Sequence, residues 1–245
     1  MHAVNFRERV AIVTGASTGL GEAMARKLAA EGLRTVLAAR NKENLDRIVA
    51  DIAKEGGTAL AVPTDVRKEA DILNLFKSAM DNFGRVDVLV NNAGIAQAIP
   101  TTELTLTDWQ AIIETNLTSA FLCSREAMRI MKQQKRGRIV NIGSVSSIVP
   151  RRDSIGYAAT KCALDGMTHS CALDGREHGI TASIIHLGVA DSNLGAGKRV
   201  PRPPEQMMQA SEIADTLFAM INLPDQTNFM NAMILPIGMP FLGRG

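Results

Sequence analysis

The 245-residue sequence predicts a single α/β domain built on a doubly wound sheet of about seven parallel strands, with helices on both faces. Three observations lead there. Short β-branched runs alternate with longer amphipathic segments, the pattern of βαβ units joined by right-handed crossovers. Several of those runs are apolar throughout rather than alternating, as strands covered on both sides must be. The length suits one large domain spanning 1–245 and is thin for two. An apolar fraction of 46% excludes wholesale disorder.

In chain order, the predicted strands fall at 10–14, 35–39, 58–62, 86–90, 138–143, 181–187 and 233–235. Between the early ones lie helical segments at 21–31, 42–55 and 69–83. Asp65 and either Thr101 or Thr102 are expected to start helices, while Gly32, Gly56 and Gly84 are expected to end them. One stretch breaks the rhythm. Residues 188–204 are rich in glycine, proline and basic side chains and precede a helix beginning near Ser211. A connection of that length is expected to be functional, here a substrate lid around 188–210.

Composition removes several function classes. Lysine plus arginine number 27 against 25 acids, a net charge of +2 that gives no reason to expect a nucleic-acid partner. No run reaches the ~18 apolar residues of a membrane span. The first nine residues carry charge without an apolar core, so neither a secretion signal nor a membrane partner is expected, and the predicted location is cytoplasmic. Cys123, Cys162 and Cys171 are read as reduced thiols. The last two are separated by roughly 13 Å along one helix, beyond the ~7 Å reach of a disulfide. His2, His169, His178 and His186 have no ligand-like spacing, so no metal is expected and the histidines are read as structural.

The first strand runs into Gly15-Ala16-Ser17-Thr18-Gly19-Leu20-Gly21, after which a helix begins. Such a turn presents backbone N–H groups and the positive end of a helix dipole to a pyrophosphate. Gly15, Ser17, Thr18, Gly19, Leu20 and Gly21 are therefore candidate cofactor contacts in a Rossmann-type fold. Gly15 permits the tight turn, Gly19 a close approach to phosphate, and Gly21 close helix–strand packing. The spacing G-x-x-x-G-x-G departs from the commoner G-x-G-x-x-G. With the preceding Thr14 it resembles the compact branch of the short-chain dehydrogenase/reductase family, which carries T-G-x-x-x-G-x-G at this place.

Cofactor choice is read at the end of the second strand. An acid there accepts hydrogen bonds from the ribose 2′-OH, whereas an arginine pairs with a 2′-phosphate. Leu37-Ala38-Ala39-Arg40-Asn41 lacks the acid and offers Arg40, so NADP(H) is the expected cofactor and NAD(H) the alternative. The resemblance further implies adenine-side contacts at Asp65 and Val66. It also implies a sheet-stabilising N-N-A-G motif at Asn91, Asn92, Ala93 and Gly94.

The chain's one tyrosine, Tyr157, is followed four residues later by Lys161. On a helix these positions share a face, so ammonium and phenol act together. A phenol's reference pKa is near 10 and an adjacent cation stabilises the phenolate. Lys161, aided by the positive ring of an oxidised nicotinamide, is expected to lower it. Phenol as donor and phenolate as acceptor suit carbonyl reduction and alcohol oxidation. Ser144, thirteen residues before Tyr157 at the end of a strand, can hydrogen-bond the substrate oxygen. Asn116, in the preceding helical region, can hold a water linking Lys161 to solvent. The resemblance places the family's Asn-Ser-Tyr-Lys tetrad on Asn116, Ser144, Tyr157 and Lys161, with Tyr157 and Lys161 also touching cofactor. After the sixth strand the family has Pro-Gly followed four residues on by Thr, a nicotinamide carboxamide contact. Here the sequence is Leu187-Gly188-Val189-Ala190-Asp191-Ser192, so Gly188 and Ser192 take those places without the proline.

The expected activity is reversible hydride transfer between a nicotinamide cofactor and a carbonyl or secondary alcohol. Arg151, Arg152, Lys198, Arg199 and Arg202 near the site read first as a solvated basic loop, partly offset by Asp153 and Asp191, and alternatively as an attractor for an anionic substrate. The resemblance implies a homo-oligomer, tetramer or dimer. The competing reading is a non-catalytic dinucleotide-binding regulator, since fold alone does not dictate chemistry.

Overall fold

The computed structural model describes residues 6–191, 203–239 and 241. Seven strands form one parallel sheet: β1 (Val10–Thr14), β2 (Arg34–Ala39), β3 (Thr58–Pro63), β4 (Val88–Asn91), β5 (Gly137–Ile142), β6 (Ile180–Leu187) and β7 (Asn231–Ile234). Their order across the sheet is β3-β2-β1-β4-β5-β6-β7. The chain first winds outward from β1 to β3, then crosses back to β4 and winds the other way. That reversal opens a crevice beyond the carboxyl ends of β1 and β4, where open α/β sheets bind ligands.

Adjacent residues of β1 explain the layering. Ala11 and Val13 face one apolar cluster with Met24 and Leu28 of α1 (Gly19–Ala30), Ile48 of α2 (Lys42–Lys54) and Leu217 of α7 (Ala210–Ile221). Val10 and Ile12 face a second cluster with Ile72 and Leu75 of α3 (Glu69–Phe83), and with Leu122 and Ala127 of α5 (Ser119–Gln134). Both faces of β1 are fully buried, so its run is apolar without alternation. Two further helices, α4 (Leu106–Ile113) and α6 (Ile155–Gly175), complete the set that frames the site.

Two predicted helix starts are corrected. Thr101 and Thr102 lie in a turn whose Glu103 and Leu104 N–H groups both bond the Pro100 carbonyl. The helix instead begins after Thr105, whose Oγ1 accepts from Asp108 N–H at 3.1 Å. Only Thr105 has an acid three residues on, the spacing that a side-chain cap favours. Asp65 belongs to a separate turn closed by Lys68 N–H on its carbonyl, and α3 starts later, at Glu69. The expected stops at Gly32, Gly56 and Gly84 fall directly after α1, α2 and α3. Cys123, Cys162 and Cys171 are free thiols. Burial pushes the Cys123 thiol up to about 12, which leaves it inert near neutrality.

Candidate active site

The first strand delivers Gly15 into a backbone conformation with φ of +66°, in the left-handed region that favours glycine. Gly21 is more constrained, because a Cβ there would lie 2.2 Å from the Gly15 carbonyl oxygen and 2.7 Å from Asn92 Nδ2. The turn is therefore folded tightly onto the start of α1. Thr18 is the N-cap of that helix, yet its side chain makes no capping hydrogen bond. A helix start without a side-chain cap retains donors and dipole for a ligand, so the turn fits a pyrophosphate. Ser17, Gly19 and Leu20 are partly exposed and Thr18 is exposed, all on this turn.

The β1 and β4 ends are stitched together by Thr14 and Asn92. Thr14 Oγ1 accepts from the N–H groups of Asn92 and Ala93, both at 3.0 Å. Asn92 Nδ2 donates back to the Thr14 carbonyl at 2.8 Å. Gly94 follows and packs against Asn116. Deeper in the sheet, Asn91 Nδ2 donates to Asn141 Oδ1 at 2.8 Å, and Asn141 Nδ2 donates to Thr168 Oγ1 on α6 at 2.8 Å. The polar chain thus couples β4 and β5 to the helix bearing Tyr157 and Lys161.

At the outer side of the crevice, Arg40 is exposed just beyond β2. Asp65 follows β3, and Val66 beside it is buried. The Arg67 guanidinium grips the Asp65 carboxylate at 3.0 and 2.6 Å. That partner, with a smaller contribution from Arg40, holds the Asp65 carboxyl down at about 2. Gly188 follows β6 and donates its N–H to Ile234 of β7 at 2.9 Å. Ser192 lies outside the described residues, as do Lys198, Arg199, Arg202 and His2.

Asn116 sits in a π-helical turn, Glu114–Thr118, inserted between α4 and α5. Such widened turns frequently mark functional sites. Its side chain is almost fully buried and committed: Oδ1 accepts from Ile95 N–H at 2.8 Å, and Nδ2 donates to the Ile95 carbonyl at 2.9 Å and to Thr160 Oγ1 at 3.3 Å.

Ser144, directly beyond β5, is buried and caps a short 3₁₀ turn, Val145–Ser147, with Oγ accepting from Ser146 N–H at 3.1 Å. That bond occupies an acceptor site and leaves the hydroxyl proton to point elsewhere. Lys161 lies one turn after Tyr157 on α6, with Nζ 5.5 Å from the phenol ring centre. The same Nζ donates to the Ile142 carbonyl at 2.6 Å. Burial lowers the Lys161 ammonium to about 8. Burial raises the Tyr157 phenol pKa, opposed by the neighbouring Ser144 side chain and by the field of Arg151. In the protein by itself the desolvation of the ring outweighs those stabilising contacts. Arg151 and Arg152 are exposed on the loop before α6, which is tied to the β4 side by Ile99 N–H on the Asp153 carbonyl at 2.8 Å.

One neighbour of Ser144 had no signal in the sequence. His186, on β6 and 1% exposed, faces the Ser144 carbonyl and Asp165 of α6. Its partners are distant in sequence, so no spacing rule finds them. Among the described residues, no group of three or more His, Cys, Asp or Glu side chains could hold a metal ion. No helix among them is long and apolar enough to cross a membrane.

A glycine-turn crevice at the switch point of a parallel sheet, opening on a serine–tyrosine–lysine centre, defines a dinucleotide-binding α/β protein with acid–base capacity. The family model described as short chain dehydrogenase matches residues 9–202. A 3-oxoacyl-(acyl-carrier-protein) reductase from Synechocystis is 40% identical over 181 residues, which cover 74% of this chain and 73% of that one. A metagenomic short-chain oxidoreductase solved in complex with NADP has 31% identity and a TM-score of 0.83, covering 94% of this chain and 98% of its own. An alcohol dehydrogenase from the archaeon Thermococcus sibiricus, complexed with 5-hydroxy-NADP, reaches a TM-score of 0.88 at 26% identity over 95% of this chain and 99% of its own. The chain belongs to the short-chain dehydrogenase/reductase family and is an oxidoreductase. Nothing in these comparisons points to a non-catalytic regulator.

Proposed function

We propose that the chain is an NADP(H)-preferring oxidoreductase that moves a hydride reversibly between the nicotinamide and a carbonyl or secondary alcohol. The observation that carries this reading is the cluster of Ser144, Tyr157 and Lys161 beyond β5, beside the glycine turn. The bound nicotinamide supplies or accepts the hydride. Tyr157 donates its phenolic proton to the substrate oxygen during reduction and takes it back during oxidation. Ser144 donates a hydrogen bond to the same oxygen and orients it. The Lys161 ammonium stabilises the phenolate that results. Burial raises the phenol in the protein alone, so the positive ring of an oxidised nicotinamide would add to Lys161 in favouring the phenolate. Asn116, through the main chain of its π turn, supports a water between Lys161 and solvent.

The turn residues Gly15, Ser17, Thr18, Gly19, Leu20 and Gly21 would hold the pyrophosphate. Asp65, Val66, Asn92, Ala93 and Gly94 would line the adenosine and ribose side, and Gly188 and Ser192 the carboxamide. Preference for the phosphorylated cofactor rests on Arg40 and on the two relatives solved with NADP-type ligands. We further propose one domain with 188–210 as substrate lid, and an anionic substrate drawn by Arg151 and Arg152. The oxoacyl reductase relative supports a carbonyl substrate. Exposed Phe229, Met230 and Met233 at the β7 edge support a homo-oligomer, tetramer or dimer, and the free thiols suit a reducing cytoplasm.

The test is a panel of carbonyls, anionic and neutral, offered with NADPH and with NADH while absorbance of the reduced cofactor is followed. Turnover with NADPH exceeding that with NADH is expected. Arg40→Ala should weaken NADPH about tenfold or more and leave NADH nearly unchanged, the loss of one charge-assisted phosphate contact. Equal use of both cofactors by the parent protein would overturn the preference. Absence of turnover with every carbonyl would overturn the activity.

A further inference from the structure

His186 occupies the end of β6 beneath the Ser144 turn, sealed from solvent. Its Nδ1 lies 3.2 Å from the Ser144 carbonyl oxygen and 3.2 Å from Ser147 Oγ. Ser147 Oγ already donates to that same carbonyl at 2.8 Å, so its proton is spent and it is left to accept. Two acceptors therefore face Nδ1, which places a proton there. On the other side of the ring, Nε2 is 3.1 Å from Asp165 Oδ1 on α6 and 3.3 Å from Asn231 Nδ2 on β7. Asp165 is the charged group facing the ring, and it lies on the same helix as Lys161, one turn further along. The ring can approach because residue 143 is glycine: a Cβ there would lie 3.0 Å from His186 Nδ1 and 2.9 Å from Ile184 Cγ1.

We propose that His186, oriented by Asp165, is a positioning residue for Ser144. It clamps the main chain of the 3₁₀ turn, so that the Ser144 hydroxyl, its acceptor side occupied by Ser146 N–H, aims its proton at the Tyr157 phenol and the substrate oxygen. The Nδ1–H bond to the Ser144 carbonyl and the lodging of Nε2 against Asp165 Oδ1 and Asn231 Nδ2 fix strand-end serine and helix-borne phenol relative to one another. Small displacements at a reacting centre have large kinetic effects, up to about a hundredfold for ~1 Å. The inference rests on the carbonyl–alcohol reading of the same site.

A double-mutant cycle tests it. His186→Gln withdraws the group facing Ser144 while keeping an amide toward Asp165, and Asp165→Asn removes the anchor charge. Each is measured in the parent protein and with Ser144→Ala, for kcat, substrate KM and cofactor Kd. In the parent, both changes should lower kcat about tenfold without altering cofactor Kd. In the Ser144→Ala background neither should lower kcat further, because the group being positioned is gone. His186→Asn, whose amide nitrogen stands in for Nδ1, should recover most of kcat. Should His186→Gln fail to fold, the partly exposed Asp165→Asn carries the same comparison. Equal losses in both backgrounds, or parent-like kcat in Asp165→Asn, would overturn the proposal while leaving the activity intact. A parent protein without turnover would overturn both.

Discussion

The two halves of the sheet meet at β1 and β4 and meet their ligands by different means. The β1–β3 half offers mostly main chain to the proposed cofactor, a glycine turn and an uncapped helix start, with Arg40 as its exposed side chain. The β4–β6 half brings side chains together from three elements, Ser144 beyond β5, Tyr157 and Lys161 on α6, and His186 on β6, and in the proposed reading these carry the chemistry. In the first half a wrong atom blocks approach, as the absent Cβ of Gly21 illustrates. In the second a wrong atom leaves the fold standing and removes the chemistry. Binding and turnover should therefore be separable by mutation.

The largest expected effect is Tyr157→Phe, which should reduce kcat about a thousandfold by removing the proton carrier, while cofactor titration remains as in the parent. Gly21→Ala should do the opposite. The new Cβ forces Gly15 to move, a strain of about 1–3 kcal/mol in the fold, and the displaced turn should weaken cofactor Kd roughly a hundredfold with kcat at saturating cofactor largely retained. If both changes struck binding and turnover equally, the division between halves would be wrong.

Lys161→Met sharpens the comparison by opposing stability to function. The folded-state ammonium sits at about 8, below its ordinary 10.5. The unfolded chain holds that proton more tightly, so the buried lysine lowers stability while it is protonated, below about 8. The penalty fades as pH rises from there toward the unfolded value. Allowing for the donor lost to the Ile142 carbonyl, Lys161→Met should gain about 2 kcal/mol at pH 7. The gain should vanish above the unfolded value, and turnover should be lost throughout. Denaturant unfolding across that pH range reads it out. Thr105→Ala is the smallest, a lost helix cap costing about 1 kcal/mol, visible in the unfolding midpoint.

These contrasts explain what the sequence made legible. The glycine turn and the Tyr157–Lys161 pair are local, within a few residues, so spacing reveals them. The strand–helix alternation is likewise a property of short windows, and the seven-stranded parallel sheet followed from it. The start of α4 was misread because several threonines crowd the segment, and only Thr105 has Asp108 at the distance a cap requires. The role of Asn116 was half visible: its position was readable, but its full commitment to Ile95 and Thr160 depends on a loop and a helix that only folding brings together. The contacts of His186 were not legible for the same reason, since the serine turn it touches is 42 residues away. The burial that raises the phenol in the protein alone was not legible, because charge is visible in a sequence and desolvation is not.

The central claim is that bound oxidised nicotinamide converts a reluctant phenol into a working base, and the chain's single tyrosine makes it directly observable. The measurement is the ultraviolet absorbance of the tyrosinate against pH, with and without NADP⁺. The account predicts ionisation above the ordinary tyrosine value in the protein alone and a clear downward displacement when NADP⁺ is bound. An identical titration in both samples, with cofactor binding verified, would contradict it.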